Sequence, residues 1–134
     1  MDFKSLVLIE KDVEKNEFLR EMESYELGEG AVYIRKFYYD GNFINIVFSI
    51  EEDMEDWKYN AVLDYFNTEA FEKYECSIEE IEGEYNPTWL IKLQYLEDFY
   101  LMSEKLQSIC NEIHNQIEVI MAYVEENKGK FMFN

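Results

Sequence analysis

The C-terminal third of the chain carries an apolar stripe with the period of an α-helix. The stripe consists of Phe99, Met102, Leu106, Ile109, Ile113, Ile117, Ile120 and Val124. Spacings of three and four place these side chains on one side of a helix of about eight turns, over residues 96–127. A strict heptad would place an apolar residue three positions after Ile113. The residue there is Gln116, so the stripe departs from a strict heptad. This drift favours packing across a sheet over a long two-stranded coiled coil.

Strands are predicted on the N-terminal side of this helix, where β-branched and aromatic residues are frequent. The predicted strands are residues 6–9, 31–39, 43–50, 76–85 and 88–95. Asp40-Gly41-Asn42 is a hairpin turn signal between the second strand and the third. The even-numbered residues of 43–50 are all apolar, so that side of the strand is expected to face the core.

Residues 12–27 fit two assignments, and the sequence leaves both open. Phe18, Leu19, Met22 and Tyr25 have helical spacing, and Gly28 could end the helix. The same residues could instead form the return strand of a hairpin.

A shorter central helix is predicted after Asp53, which could act as its N-cap. Its apolar positions continue to Phe66, and Asn67-Thr68 is expected to interrupt it. Gly129 is expected to end the long C-terminal helix and to leave Phe131-Met132-Phe133 as an apolar tail.

These elements predict an α+β fold. The expected architecture is an antiparallel or mixed sheet of about four to six strands, packed against a long C-terminal helix and a shorter central helix. The chain has 134 residues and no linker rich in Pro, Gly or Ser, so a single domain over residues 1–134 is expected. The beginning of the sequence lacks the pattern of a signal peptide, and no apolar run is long enough to span a bilayer. A cytoplasmic location without membrane contact is therefore expected.

The charge of the chain restricts its partners. Thirty Asp and Glu residues stand against twelve Lys and Arg residues, which gives a formal net charge of −18. Affinity for nucleic acids comes largely from Lys and Arg side chains that neutralise phosphates, so direct nucleic-acid binding is not expected. A basic protein is the partner class that this charge favours, although the charge could also serve solubility alone.

Sequence motifs for catalysis are missing. The chain has no Gly-rich phosphate loop, no GxSxG, no HExxH and no dinucleotide fingerprint. His114 is the single histidine, and Cys110 and Glu118 lie four residues on either side of it. This spacing alone falls short of the four ligands typical of a structural metal site. No catalytic residue, no metal and no cofactor is therefore predicted.

Tyrosine and tryptophan side chains among acidic residues are typical of protein-binding patches. The chain combines these aromatic residues with two acidic tracts, over residues 51–56 and 69–84. On a strand, Glu80, Glu82 and Glu84 would project from one face, where regularly spaced carboxylates could imitate a phosphate backbone. The predicted partner-binding residues are Trp57, Tyr59, Tyr85, Trp89, Glu80, Glu82 and Glu84.

Three short segments carry a resemblance to known sequences. They are Glu84-Tyr85-Asn86-Pro87-Thr88-Trp89, Asp64-Tyr65-Phe66-Asn67 and Ala70-Phe71-Glu72. With them the chain resembles a group of small acidic proteins of clostridia-like bacteria, a group with no assigned function. The resemblance implies a bacterial cytoplasmic protein and transfers neither an activity nor a site residue.

Three functional hypotheses follow from these observations. The leading hypothesis is a non-enzymatic cytoplasmic protein-interaction or regulatory domain. The first alternative is an acidic inhibitor or nucleic-acid mimic that covers a basic protein surface. The second alternative is an enzyme based on carboxylates, or a binder of small ligands, without a sequence signature. Self-association could use the apolar tail of Phe131, Met132 and Phe133 or the long helix, and the tail could instead fold back onto the sheet.

Overall fold

The structure, a computed structural model, describes residues 4–133 and is an α+β fold, as predicted. Its strands are β1 (Lys4–Asp12), β2 (Glu17–Gly28), β3 (Ile34–Tyr39), β4 (Ile44–Ser49), β5 (Ser77–Glu80) and β6 (Thr88–Leu93). Its α-helices are α1 (Asp56–Tyr65), α2 (Phe99–Glu126) and α3 (Lys128–Met132). Two 3₁₀ helices, Glu29–Tyr33 and Thr68–Tyr74, connect these elements. No helix within residues 4–133 is both long and apolar enough to cross a lipid bilayer.

The six strands form one mixed sheet in the order β2-β1-β3-β4-β6-β5. Only β1 and β3 pair in parallel within the described residues, and the other neighbours are antiparallel. Ile44, Ile46 and Phe48 on β4 are fully buried, so the predicted core face of this strand is confirmed. The register pairs Phe48 with Trp89 of β6, which places both rings on that face.

Residues 12–27 adopt the hairpin assignment, and the helical alternative is wrong. β2 pairs with β1 along its length. The turn before β2 uses Asn16 with a φ of 53°, a left-handed conformation that asparagine tolerates better than most residues. Tyr25 and Leu27 are buried while Ser24 and Glu26 are exposed. This alternation has the two-residue period of a strand.

Helix α2 covers one face of the sheet. Its N-cap is Asp98, whose carboxylate accepts hydrogen bonds from the backbone N–H groups of Tyr100 and Leu101. The helix therefore begins at Phe99, three residues later than the stripe predicted. From Met102 to Val124 the members of the stripe are buried, so the predicted apolar face is confirmed.

The core between the helices and the sheet is rich in aromatic rings. Phe48, Phe66, Phe71 and Trp89 stack on one another, with 4.2 Å between the ring centroids of Phe66 and Trp89. Phe66 ends α1 and Phe71 lies in the second 3₁₀ helix, so the interruption predicted at Asn67-Thr68 is confirmed. Because of this interruption, the rings at the end of α1 and in the second 3₁₀ helix both pack against the aromatic residues of β4 and β6.

Several predicted boundaries are wrong. Residues 31–33 belong to a 3₁₀ helix instead of a strand, because Gly30 packs directly against the Cys110 backbone of α2 and Ala31 is buried. Asp53 does not cap α1, which begins at Asp56 after Glu55 and has no side-chain cap. Gly129 does not end the C-terminal helix, since the break falls at Asn127 and Gly129 lies inside α3.

Candidate protein-interaction site

Two acidic loops meet at one end of the sheet. One is the β4–α1 connection, residues 50–55, and the other is the β5–β6 connection, residues 81–87. They meet because β4 and β6 are neighbouring antiparallel strands, so the segment after β4 lies beside the segment before β6. The backbone N–H of Ile50 donates to the carbonyl of Pro87 at 3.1 Å. We call these two segments the acidic loop pair.

Side chains fasten the two loops to each other and to α1. The Tyr59 hydroxyl on α1 donates to the carbonyl of Glu84 at 2.7 Å. The Asn86 amide donates to the carbonyl of Glu52 at 3.1 Å. The Tyr85 hydroxyl donates to the carboxylate of Asp53, and this hydrogen bond raises the pKa of Tyr85 above its usual value. These contacts restrict the conformations of both loops before any partner binds.

The acidic loop pair presents a strongly negative surface. Its exposed acids are Glu51, Glu52, Asp53, Glu55, Glu82 and Glu84. Within residues 4–133, two cations pair with this set: Arg35 lies 2.8 Å from Glu51, and Lys58 lies 2.7 Å from Glu52. Six carboxylates against two cations leave an excess of negative charge that a basic surface can neutralise.

The structure brings together three of the predicted partner-binding residues. Glu84 and Tyr85 lie in the acidic loop pair, Tyr59 reaches it from α1 through its bond to Glu84, and Tyr85 is 73% exposed. Glu82 lies in the same turn and is exposed. Trp57 is half-buried at the start of α1, where its indole N–H donates to the Glu55 carboxylate at 2.8 Å.

Two predictions about this region are corrected. Trp89 was expected at the surface but is 0% exposed, because its position on β6 turns the ring towards Phe48 and the core. Glu80, Glu82 and Glu84 do not line one face of a strand. β5 ends at Glu80, and the chain then turns through Gly83, whose φ of 81° lies in the left-handed region. Glu82 and Glu84 therefore belong to the turn.

The residues that connect the two loops could not be identified from the sequence. Asp53 was predicted as a helix N-cap and Glu52 as a member of an acidic tract, and no contact was predicted for Asn86. Their contacts across the two loops depend on the pairing of β4 with β6. The acidic tract over residues 51–56 and the gap between the predicted strands 76–85 and 88–95 are visible in the sequence, but the strand order is needed to place the two segments side by side.

A shallow pocket of about 290 Å³ opens beside the acidic loop pair, on the sheet face opposite α2. Its lining residues are Arg35, Lys36, Val47, Ser49, Glu51, Ile81, Glu84, Tyr85, Asn86 and Thr88. The Arg35 guanidinium is already engaged, by Glu51 and by the hydroxyl of Ser49 at 3.1 Å. This occupation weakens Arg35 as a ligand for an anionic small molecule.

Within residues 4–133, the carboxyl groups whose pKa is shifted do not show the shift expected of a general acid. A general acid at neutral pH needs a raised carboxyl pKa, whereas the shifted carboxyls of Asp40, Glu112 and Glu125 all have lowered pKa values. Burial raises the pKa of the Cys110 thiol to about 12 and also raises that of Cys76, so both thiols are poor nucleophiles.

His114 has carboxylate neighbours but no metal-binding arrangement. Its Nε2 atom lies 3.3 Å from Glu29 and 3.5 Å from Glu118, so the histidine connects the first 3₁₀ helix to α2. Among residues 4–133, no group of three or more His, Cys, Asp and Glu side chains is arranged to hold a metal ion.

Comparisons with known proteins identify a family. No curated protein and no solved structure matches the chain. Residues 1–132 match the family described as a family of unknown function, DUF6762. This agrees with the expectation of a family without an assigned function, while the bacterial clade of that expectation stays a prediction. Since the match extends over nearly the whole chain, the protein belongs to the DUF6762 family.

Proposed function

We propose that the protein is a non-enzymatic interaction domain that binds a basic protein through the acidic loop pair. The observation that carries this proposal is the placement of Tyr85. Its ring is 73% exposed and lies among the six acids of loops that are already fixed by hydrogen bonds. An exposed aromatic ring surrounded by charge is the composition of an interface hot spot with a polar rim.

The fixed conformation of the loops supports tight binding. Association loses affinity when loops must become ordered at the interface. Here Tyr59 and Asn86 already hold the two loops through their bonds to Glu84 and Glu52. The net charge of −18 adds long-range attraction for a basic partner and raises the rate of encounter.

The inhibitor alternative uses the same surface. It differs only in whether the bound partner loses an activity when its basic cleft is covered. Mimicry of a phosphate backbone is less favoured, because Gly83 breaks the regular row that Glu80, Glu82 and Glu84 would have formed. The small-ligand alternative has weaker support, since Arg35 in the neighbouring pocket is already paired with Glu51.

A pair of charge-matched variants tests the proposal. E80Q/E82Q/E84Q removes three charges at the acidic loops and the adjoining end of β5. E17Q/E21Q/E23Q removes three charges from exposed positions on β2. Tagged versions of both, and of the wild type, would capture proteins from the native cells, and the partner affinity would then be measured with purified components by calorimetry.

We expect a basic partner whose affinity falls about tenfold in E80Q/E82Q/E84Q. The β2 control should keep an affinity close to that of the wild type. Raising the salt concentration should weaken wild-type binding, because exposed charges are screened over about 10 Å at 0.1 M salt. A partner that both variants bind equally well would contradict the proposed surface.

A further inference from the structure

A pocket of about 430 Å³ opens near the start of α2. Three segments converge on it: the end of the second 3₁₀ helix, the connection between β6 and α2, and α2 itself. Its volume falls in the range of about 300–1,000 Å³ that is usual for small-molecule sites. We call it the α2 pocket, and none of its lining residues belongs to the acidic loop pair.

Both signs of charge line the α2 pocket. Two lysines, Lys73 and Lys105, stand with two acids, Glu75 and Glu104, whereas acids outnumber cations by thirty to twelve in the whole chain. The Lys73 amine lies 3.1 Å from Glu112 and is therefore already paired. Within residues 4–133, no ion pair involves Lys105, Glu75 or Glu104. The pocket thus offers one cation and two carboxylates to a ligand.

Uncharged side chains complete the α2 pocket. Leu96 and Leu101 give it an apolar part, and Leu101 is 57% exposed. Gln94 and Ser108 add an amide and a hydroxyl group, which can hydrogen-bond to a charged group of either sign. Leu101, Lys105 and Ser108 follow one another at spacings of four and three, so they lie on one side of α2. A matching ligand therefore needs an apolar part as well as charges.

The backbone of Glu75 is strained. Its φ of 53° and ψ of 48° lie in the left-handed region, which few residues other than Gly, Asn and Asp adopt. Within the described residues, the other non-glycine residue with a positive φ is Asn16, in the β1–β2 turn. Glycine would end the second 3₁₀ helix without this strain. Strained residues of this kind cluster at ligand sites, where the side chain is needed.

From these features we propose that the α2 pocket binds a small zwitterion with an apolar side chain, of the class of the α-amino acids. Its carboxylate pairs with Lys105, its ammonium group with Glu75 and Glu104, and its side chain contacts Leu96 and Leu101. A simple anion fits less well because the two unpaired acids repel it, and a simple cation leaves Lys105 unpaired. This site is separate from the acidic loop pair and does not depend on a basic partner.

L-leucine and two analogues that each lack one charge test the proposal. Isocaproate lacks the ammonium group, and isoamylamine lacks the carboxylate. Each is titrated into the isotope-labelled full chain, and the amide signals of residues 73–75, 94–96 and 101–108 are followed by NMR spectroscopy. We expect L-leucine to shift these signals with a Kd of about 1 mM, and each analogue to bind at least about tenfold more weakly. L-methionine and L-phenylalanine repeat the titration with other apolar side chains.

Two variants remove the charges of the pocket and keep the length of the side chains. Lys105→Met removes the cation, and E75Q/E104Q removes the two carboxylates. Each should weaken the binding of L-leucine about tenfold, since each removes hydrogen bonds to one charged group of the ligand. A circular dichroism spectrum equal to that of the wild type shows that the variants are folded.

Lys15→Met and E17Q/E126Q are the matched controls, because they make the same changes of charge at exposed positions outside the pocket. Both should bind L-leucine as tightly as the wild type. The proposal is overturned if none of the three amino acids shifts the amide signals at about 20 mM. It is also overturned if either analogue binds as tightly as L-leucine, or if the controls lose as much affinity as the pocket variants. Since no basic protein is present, these outcomes leave the test of the acidic loop pair unaffected.

Discussion

Tyr85 and Trp89 lie four residues apart, and in the sequence both are aromatic residues close to an acidic tract. In the structure one is 73% exposed and the other is 0% exposed. The difference arises at Thr88, where β6 begins and the register with β4 fixes which side chains face the core. Aromatic composition therefore indicates a binding surface only after the strand register is known.

The two residues belong to two regions that are stabilised by different interactions. The core side of the sheet, which includes Trp89, is stabilised by buried apolar contacts and close packing. The acidic loop pair, which includes Tyr85, is held by hydrogen bonds at the surface. Substitutions on the core side should change the free energy of unfolding, whereas those in the acidic loop pair should change the affinity for the proposed basic partner.

The largest effect is expected from Gly30→Ala on the core side. A Cβ at this position would overlap the backbone carbonyl oxygen of Cys110 and lie 2.7 Å from its carbonyl carbon. Since neither backbone can yield cheaply, the first 3₁₀ helix would have to separate from α2. We expect a loss of at least about 4 kcal/mol in the free energy of unfolding, measured by urea denaturation.

Gly129→Ala is the control for this substitution. No atom lies within 4 Å of the position that its Cβ would take, and alanine favours a helix over glycine by about 1 kcal/mol. The control should therefore match or slightly exceed the stability of the wild type. Equal losses in the two variants would show that close packing at Gly30 is not the cause.

A smaller but still large effect is expected from Trp89→Ala. It removes a ring that stacks on Phe66 and Phe48 in the core, so the free energy of unfolding should fall by about 3–5 kcal/mol. Trp57→Ala, at a half-buried position, should cost clearly less. Urea unfolding followed by circular dichroism avoids dependence on tryptophan fluorescence. Similar costs for the two variants would contradict the division into core and surface.

Glu112 is a charged group buried on α2. It tests whether hydrogen bonds in the buried region, as well as apolar contacts, contribute to the free energy of unfolding. Burial acts to raise its pKa, but hydrogen bonds from Gln116, Tyr74 and Lys73 outweigh that effect and lower the pKa overall. Because the folded pKa lies below the unfolded value, Glu112 stabilises the fold above the ordinary glutamate range. This contribution should be lost as the pH falls through about 4.3 towards the lower folded pKa.

Glu112→Gln provides the measurement. Near pH 7 the variant should be less stable than the wild type by about 1–3 kcal/mol, since Gln keeps some hydrogen bonds but loses the charge. The difference between the two proteins should shrink on acidification to about pH 3.5. A difference that is independent of pH would show that the carboxylate is not ionised in the fold, contrary to the lowered pKa.

The sequence was sufficient for the elements with strong local patterns. Helix α2 and strand β4 were predicted because their apolar residues repeat with helical and strand periods. It was insufficient where tertiary contacts decide. Residues 31–33 resemble a strand but form a 3₁₀ helix against α2, and the contacts between residues 50–55 and 81–87 exist only because β4 pairs with β6.

The smallest change in stability is expected at Tyr85. Tyr85→Phe keeps the exposed ring and removes only the hydroxyl that donates to Asp53, so its thermal unfolding midpoint should equal that of the wild type within error. Tyr85→Ala should leave the midpoint equally unchanged but weaken binding of a basic partner about tenfold, because the ring is the proposed anchor. If Tyr85→Ala lowers the midpoint as Trp89→Ala does, the loop tyrosine is a structural residue. If Tyr85→Phe weakens binding as much as Tyr85→Ala, the bond to Asp53, and not the ring, determines affinity.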